Sequence, residues 1–295
     1  MFGTVVVGVG RAGQVRIRDL LTPLPGSAAE RLSIKGFVSR RHLGDQQGVK
    51  QISLKEALDR EDIQVAIVCT ENTSHEDYIQ KFLEAGKHVC VEYPMSLSHT
   101  AAVELHHLAE KKGKVLHEEH IELLTAEYKQ LKKNVAGLNL LEGTIQFTAG
   151  PPLSELRSLS FSAIARLTWL VDLFGELMVT DSSMVEDRQN QYMKMTAEFL
   201  TKEQRKLTWI EERGPGLGWS KSIDFRFDSG RIDQLPDAPP EPVGIFMQDL
   251  ELFGRKLLGD VPLEQLQKER RRVLHCLQLA GHISQLCQST AHNCT

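Results

Sequence analysis

Residues 4 to 13 read T-V-V-V-G-V-G-R-A-G, a β-branched run that stops on glycines at positions 8, 10 and 13. No other stretch restricts the folding of this chain as tightly. Val5, Val6 and Val7 suit a strand buried on both faces, and Ala12 to Leu21 can open as a helix. The glycines have separate roles. Gly8 permits the tight turn, Gly10 lets a pyrophosphate approach the backbone, and Gly13 lets the helix pack close to the strand. Val9, Arg11 and Ala12 complete a loop whose N–H groups, at the start of a helix, face an anion. The spacing predicts a dinucleotide site, with a ligand-free glycine turn as the plain alternative.

The 295 residues exceed the roughly 150 of an average domain, so two are expected, at 1–122 and 123–295. In the first, Ser33–Ser39, Gln64–Thr70 and His88–Glu92 read as buried strands. They alternate with helical stretches over Ile52–Arg60 and up to about Ala85. This is the α/β pattern of an N-terminal Rossmann domain with a doubly wound parallel sheet. From Leu141 the character changes. Thr144–Thr148, Gln191–Leu200, Lys206–Glu212 and Ile223–Phe227 are strand candidates separated by turn signals. They predict a C-terminal α+β domain with a large, mostly antiparallel sheet, one face of it available to a ligand. An apolar helix is expected over Ser162–Gly175 and a last helix from Pro262 to about Cys287.

A net charge of −4 gives no general reason to bind nucleic acid, and no apolar run approaches the roughly 18 residues of a membrane span. Met1-Phe2-Gly3 leads directly into the first strand without a signal-peptide pattern, so a cytoplasmic location is expected. Five cysteines, at 69, 90, 276, 287 and 294, are odd in number and sparse, which favours reduced thiols.

The strand ends carry the candidate site. After the second strand an NAD-selective fold is expected to place an acid on the ribose. This chain has Ser39-Arg40-Arg41, suited to a 2′-phosphate, so NADPH is expected ahead of NADH; a solvated basic turn is the alternative. Asn72, Thr73, Ser74 and His75 follow the third strand and fall near the cofactor, although Ser74 or Thr73 also suits a helix cap. Glu92-Tyr93-Pro94 closes the fourth strand, where the proline keeps Tyr93 extended at the place a nicotinamide would take. Glu118, Glu119 and Glu122 follow a short strand at Val115-Leu116; Glu119 and Glu122 share a face if helical, or simply favour a helix start. Arg166 begins the apolar helix and suits a carboxylate partner, whether a ligand's or an internal one.

The run Thr70–His75, T-x-N-x-x-H, with Ala85–Pro94, A-G-K-H-V-x-V-E-Y-P, resembles the glucose-fructose oxidoreductase and inositol dehydrogenase (Gfo/Idh/MocA) family. That family commonly carries E-K-P, and here Tyr93 replaces the lysine. E-Y-P-M at Glu92–Met95 and K-V-L-H-E-E-H at Lys114–His120 resemble its biliverdin reductase branch. So do R-L-T-W-L-V-D-L-F-G-E at Arg166–Glu176 and W-I-E-E-R-G-P-G-L at Trp209–Leu217. The resemblance implies NADPH-dependent reduction of the central methine of biliverdin to bilirubin, with a proton passing to a pyrrole nitrogen. Tyr93, Glu92, Glu119 and Glu122 are then expected at the reaction, with Tyr93 also beside the nicotinamide, and Arg166 at a propionate. It also implies zinc at His275, Cys276 and Cys287, although Gln288 stands where a further cysteine is expected. The helix over Ser162–Gly175 lacks the histidine that the family's alcohol dehydrogenases use as a base. A sugar or dihydrodiol dehydrogenase and a non-enzymatic NADP-binding regulator are the alternatives, and a monomer suffices for each. Tyr192-Met-Lys-Met also resembles a phosphotyrosine motif, but it alternates as a strand should.

Overall fold

Three consecutive valines need apolar neighbours on both faces of a sheet, and β1 (Phe2–Val7) obtains them. The computed structural model describes residues 1–151 and 159–292. In it β1 lies parallel between β2 (Leu32–Val38) and β3 (Val65–Val68), and the sheet continues through β4 (His88–Val91) to β5 (Leu116–Glu118) in the order β2-β1-β3-β4-β5. The connections carry α1 (Arg11–Leu21), α2 (Leu54–Asp59), α3 (His75–Glu84) and α4 (His99–Lys112). Strand order reverses beside β1, so the carboxyl ends of β1, β2 and β3 flank the crevice in which such sheets bind their ligand. Val6, Ile17, Phe37 and Ile67 pack into one core with Leu250 and Phe253, each worth about 1.5–3 kcal/mol of burial.

The second sheet begins after α5 (Ala126–Val135) with β6 (Leu140–Ala149), followed by the short α6 (Leu159–Ser162) and α7 (Ala165–Phe174). It continues with β7 (Leu177–Asp187), β8 (Tyr192–Thr201), β9 (Lys206–Arg213), β10 (Ser220–Phe227) and β11 (Gly230–Ile232). The order is β11-β10-β6-β9-β8-β7, and every pairing is antiparallel except β6 with β9. The mostly antiparallel sheet expected from the sequence is therefore present. Strand β7 carries no clear sequence signal, because only Leu177, Val179 and Ser182 of this edge strand are buried.

Two further helices follow, α8 (Ile245–Leu258) and α9 (Leu263–His292). The chain divides into two compact units: Met1–Thr125 with Glu241–Arg271, and Ala126–Pro240 with the chain from Arg272. A single cut after residue 122 thus gives way to a first unit that recovers α8, because Leu250 and Phe253 complete its core and Asp249 bonds Arg16 on α1. Cys69, Cys90, Cys276 and Cys287 are buried, and Cys294 lies outside the described residues. Among the described residues no helix is long and apolar enough to cross a membrane.

Candidate active site

The glycine loop is built as its spacing requires. Gly8 has φ +90°, and a Cβ there would stand 2.7 Å from the carbonyl oxygen of Cys69. A Cβ on Gly13 would run into the carbonyl oxygen of Gly8, so glycine is what lets α1 sit close to β1. Gly10 differs: nothing of the protein lies within 4 Å of a Cβ placed there. The protein's own packing makes no demand for glycine at that position. Gly10 caps α1 without a side-chain hydrogen bond, and the first turn holds no acid, so the N–H groups of Arg11 to Gly13 meet no competing carboxylate. This cradle fits a pyrophosphate.

At the end of β2, Gln51 Nε2 donates to the carbonyls of Ser39 (3.2 Å) and Arg41 (2.7 Å), which fixes the turn. The Arg41 N–H donates to Ser39 Oγ. Both guanidiniums are exposed, and Arg40 forks onto Glu71 at 2.8 and 2.9 Å. Thr73 is exposed and Asn72 half-buried, whereas Ser74 Oγ is taken up within its turn by Thr70 and Glu71. His75 departs from expectation. It is buried, its ring nitrogens lie 2.8 Å from the carbonyl oxygen of Pro94 and 2.9 Å from that of Thr70, and so both are committed to bracing the backbone on either side of the strand ends.

Val91 pairs with Glu118, so Glu92-Tyr93 and Glu118–His120 emerge at the same carboxyl edge. The Tyr93–Pro94 peptide is cis. The ring of Tyr93 lies parallel to that of His120, with centroids 6.4 Å apart and planes within 6°. Glu118 serves both: one carboxylate oxygen accepts the Met95 N–H at 2.6 Å, and the other lies 3.2 Å from His120 Nε2.

Glu119 is 1% exposed. Burial pushes its carboxyl well above the ordinary range, and Glu92, to which it is hydrogen-bonded, and Asp249 reinforce the shift. It is held by the Ile121 N–H and lies 3.9 Å from Arg16. Its carboxyl is thus enclosed among Glu92, Arg16 and the Ile121 N–H, closed to solvent. Glu122 belongs to a 3-10 turn, Ile121–Leu124, and Glu119 lies outside it, so the two share no helix face.

Behind these carboxyls lies a chain of buried ions. Arg16 Nη2 donates to Asp249, the His117 Nε2–H donates to the same carboxylate at 2.8 Å, and Lys256 Nζ donates to His117 Nδ1 at 2.8 Å. An ammonium only donates, so His117 carries its proton on Nε2. Lys256 in turn pairs with Glu269. Donor atoms of Cys90, His117 and Asp249 converge within 4.8 Å. The Nε2–H of His117 is already spent on Asp249, and Arg16 and Lys256 bring two cations to the cluster, so its donors are engaged within the protein. Nor do His275, Cys276 and Cys287 form one: His275 Nε2 accepts the Leu177 N–H at 3.0 Å, Cys287 pairs with Ser182, and the two cysteines stand about 16 Å apart along the helix at ~1.5 Å per residue. The zinc expectation is withdrawn on that geometry.

In the second unit Arg166 is nine-tenths buried, stacked 3.8 Å over the ring of Phe147 and 3.7 Å from the buried Glu211. Arg213 bonds Glu211 at 2.7 Å and faces the same ring, and Lys221 lies 4.0 Å from the Trp169 ring centroid and 6.0 Å from that of Trp219. Burial raises the carboxyl of Glu211, the buried acid that Arg166 and Arg213 share. Asp172, the acid of the apolar helix, is bound by Tyr128, Lys132 and Arg272 and has no freedom to act as a base. Sequence reasoning misses Arg16, His117, His120 and Asp249. Arg16 alone leaves a usable trace, a charge on the apolar stripe between Val15 and Ile17.

A five-stranded parallel sheet with a glycine cradle, joined to a six-stranded mixed sheet, defines a Rossmann-type oxidoreductase. A family model described as "Oxidoreductase family, NAD-binding Rossmann fold" matches residues 2–120, and one described as "Biliverdin reductase, catalytic" matches residues 128–239. The chain is 52% identical to biliverdin reductase A of Homo sapiens over 98% of its own length and 97% of the relative's. It is 52% identical to that of Mus musculus over 97% and 96%. The chain belongs to the biliverdin reductase A family. A biliverdin reductase from Synechocystis sp. PCC 6803, solved with biliverdin and NADP+, has the same fold at a TM-score of 0.78, with 22% identity over 97% of this chain and 99% of that one. An Actinomadura kijaniata 3-ketoreductase solved with NADP shares the fold at a TM-score of 0.80 and 16% identity, over 97% of each chain.

Proposed function

We propose that this chain reduces biliverdin to bilirubin with NADPH, as a monomeric cytoplasmic enzyme. Identity of 52% along nearly the whole of its mammalian relatives carries the reading. The Gly8–Gly13 cradle takes the pyrophosphate, and Ser39, Arg40 and Arg41 take the 2′-phosphate, with Asn72 and Thr73 beside them. When bound, NADPH supplies the hydride for the central methine. Tyr93 orients the substrate with a phenol that donates at neutral pH. Glu92 precedes it at the strand end, and Glu119, its carboxyl pushed up by burial, is hydrogen-bonded to Glu92. Arg166, with Arg213 and Lys221, takes the propionates, and the aromatic rings of Phe147, Trp169 and Trp219 give apolar surface to the pyrroles. Oxidation of a sugar or dihydrodiol is disfavoured, since Asp172 is held in ion pairs and no histidine accompanies it. Mixing the protein with NADPH and biliverdin and following the change from green to yellow tests the reading. A chain that binds NADPH and leaves biliverdin green refutes it.

A further inference from the structure

We infer that His120 is the acid that completes the reduction, with the Glu118 carboxylate beside its ring; the inference rests on the reading of function above. Hydride addition at the methine leaves a pyrrole nitrogen to be protonated, so the reaction consumes one proton for each NADPH. Histidine is the side chain whose charge changes nearest to neutral pH, and it suits that proton transfer.

The geometry singles out this histidine. Glu118 and Val91 are register partners, which brings His120 to the carboxyl edge at which Tyr93 ends β4. The two rings lie parallel, and the His120 side chain is 11% exposed. Its Nε2 lies 3.2 Å from Glu118 Oε1, within ion-pair distance, and has no hydrogen-bond partner among the described residues. A histidine beside a carboxylate, with a ring nitrogen not committed to a hydrogen bond, can take up a proton and pass it on.

The surrounding groups support the assignment. Glu118 faces His120 from β5 and Tyr93 faces it from the end of β4. His106 on α4 is close enough to Glu118 to feel its charge, but burial and then Arg270 hold that imidazole down to about 4, so it is neutral and does not compete for the carboxylate. Glu119, the other proton store, is closed to solvent. In the step proposed, the N–H bond of the His120 imidazolium breaks as the pyrrole N–H bond forms. The two electrons come from NADPH as hydride, and solvent returns the proton to the ring.

The test uses His120→Gln and His120→Ala in the full chain. For His120→Gln the expected result is a kcat lower by about 100-fold, the scale of general acid catalysis, with biliverdin KM and NADPH affinity within about threefold of wild type. The wild-type kcat should fall as pH rises, the variant's should not, and added imidazole should restore His120→Ala in proportion to imidazolium. A second readout needs no turnover. Biliverdin bound with NADP+ should show the red-shifted band of a protonated tetrapyrrole, and His120→Gln should move its midpoint to lower pH. A His120→Gln enzyme with wild-type kcat, a wild-type pH profile or an unmoved midpoint overturns the inference. A wild-type chain that binds biliverdin without reducing it refutes the reading of function and leaves the midpoint to judge His120.

Discussion

Arg16 Nη2 donates to Asp249 Oδ2 across 2.7 Å, joining α1 to α8 between side chains that are both closed to solvent. Removing one partner of such a pair strands a buried charge, so Asp249→Asn should cost about 3–5 kcal/mol of unfolding free energy at pH 7. Burial opposes ionisation of Asp249, but Arg16 and His117 outweigh it and hold its carboxyl below the ordinary range. A depressed carboxylate stabilises the fold above its unfolded value, near 3.8, and that contribution is lost as pH falls through the folded value. Urea denaturation should therefore show a wild-type advantage that is full at neutral pH and closes in strong acid. Equal stability of the two proteins at pH 7 would remove the pair from the account.

The three fingerprint glycines should not respond alike. Gly10→Ala meets open space, so it should keep the wild-type melting temperature while NADPH affinity falls by about 10-fold or more. Gly13→Ala drives a methyl into the Gly8 carbonyl and should lower stability by about 1–3 kcal/mol as α1 is pushed from β1. Calorimetry with a cofactor titration on each variant separates the two. Equal loss of cofactor and stability in both would sink the distinction.

Cofactor choice should depend on the end of β2. Arg40→Ala with Arg41→Ala should raise the KM for NADPH by about 10- to 100-fold and leave that for NADH within about threefold. Glu71 forks onto Arg40 and competes with a phosphate for it, so Glu71→Gln should tighten NADPH by a few-fold. Steady-state kinetics with each cofactor measure both effects, and a preference for NADPH that survives the double substitution would transfer the selectivity elsewhere.

The features that can be read from the sequence are those set by neighbours along the chain. Val5–Val7 and the glycines after them specify a strand, a turn and a helix within ten residues, and the Tyr93-Pro94 strand end is local too. The ion chain is not legible there, because Arg16, His117 and Asp249 come from three distant segments and no spacing connects them. His75 misleads for the same reason: its position after β3 is local, but Pro94, which engages its ring, is not. His120 sits in H-E-E-H, where the carboxylates draw the eye, and only the pairing of β4 with β5 brings it to Tyr93.

The charge balance of the second sheet gives a test of substrate recognition. Arg166 and Arg213 flank Glu211, whose carboxyl burial raises, and Lys221 lies 3.5 Å from Glu127. Cations in excess over a weakened acid suit a dicarboxylate. Arg213→Ala and Lys221→Ala should each raise the biliverdin KM by about 10-fold, since a hydrogen bond to a charged group is worth about 1.5–3 kcal/mol, part of which solvent returns. Neither should change the KM for NADPH. Biliverdin dimethyl ester supplies the control: it should bind the wild-type enzyme more weakly and be nearly indifferent to both substitutions, because the charge they recognise is gone. Trp219, 71% exposed, meets Phe147 edge to face at 5.6 Å, so Trp219→Ala should weaken acid and ester alike. If the acid and the ester responded equally to Arg213→Ala and Lys221→Ala, the cations would serve the fold alone and the propionates would need another site.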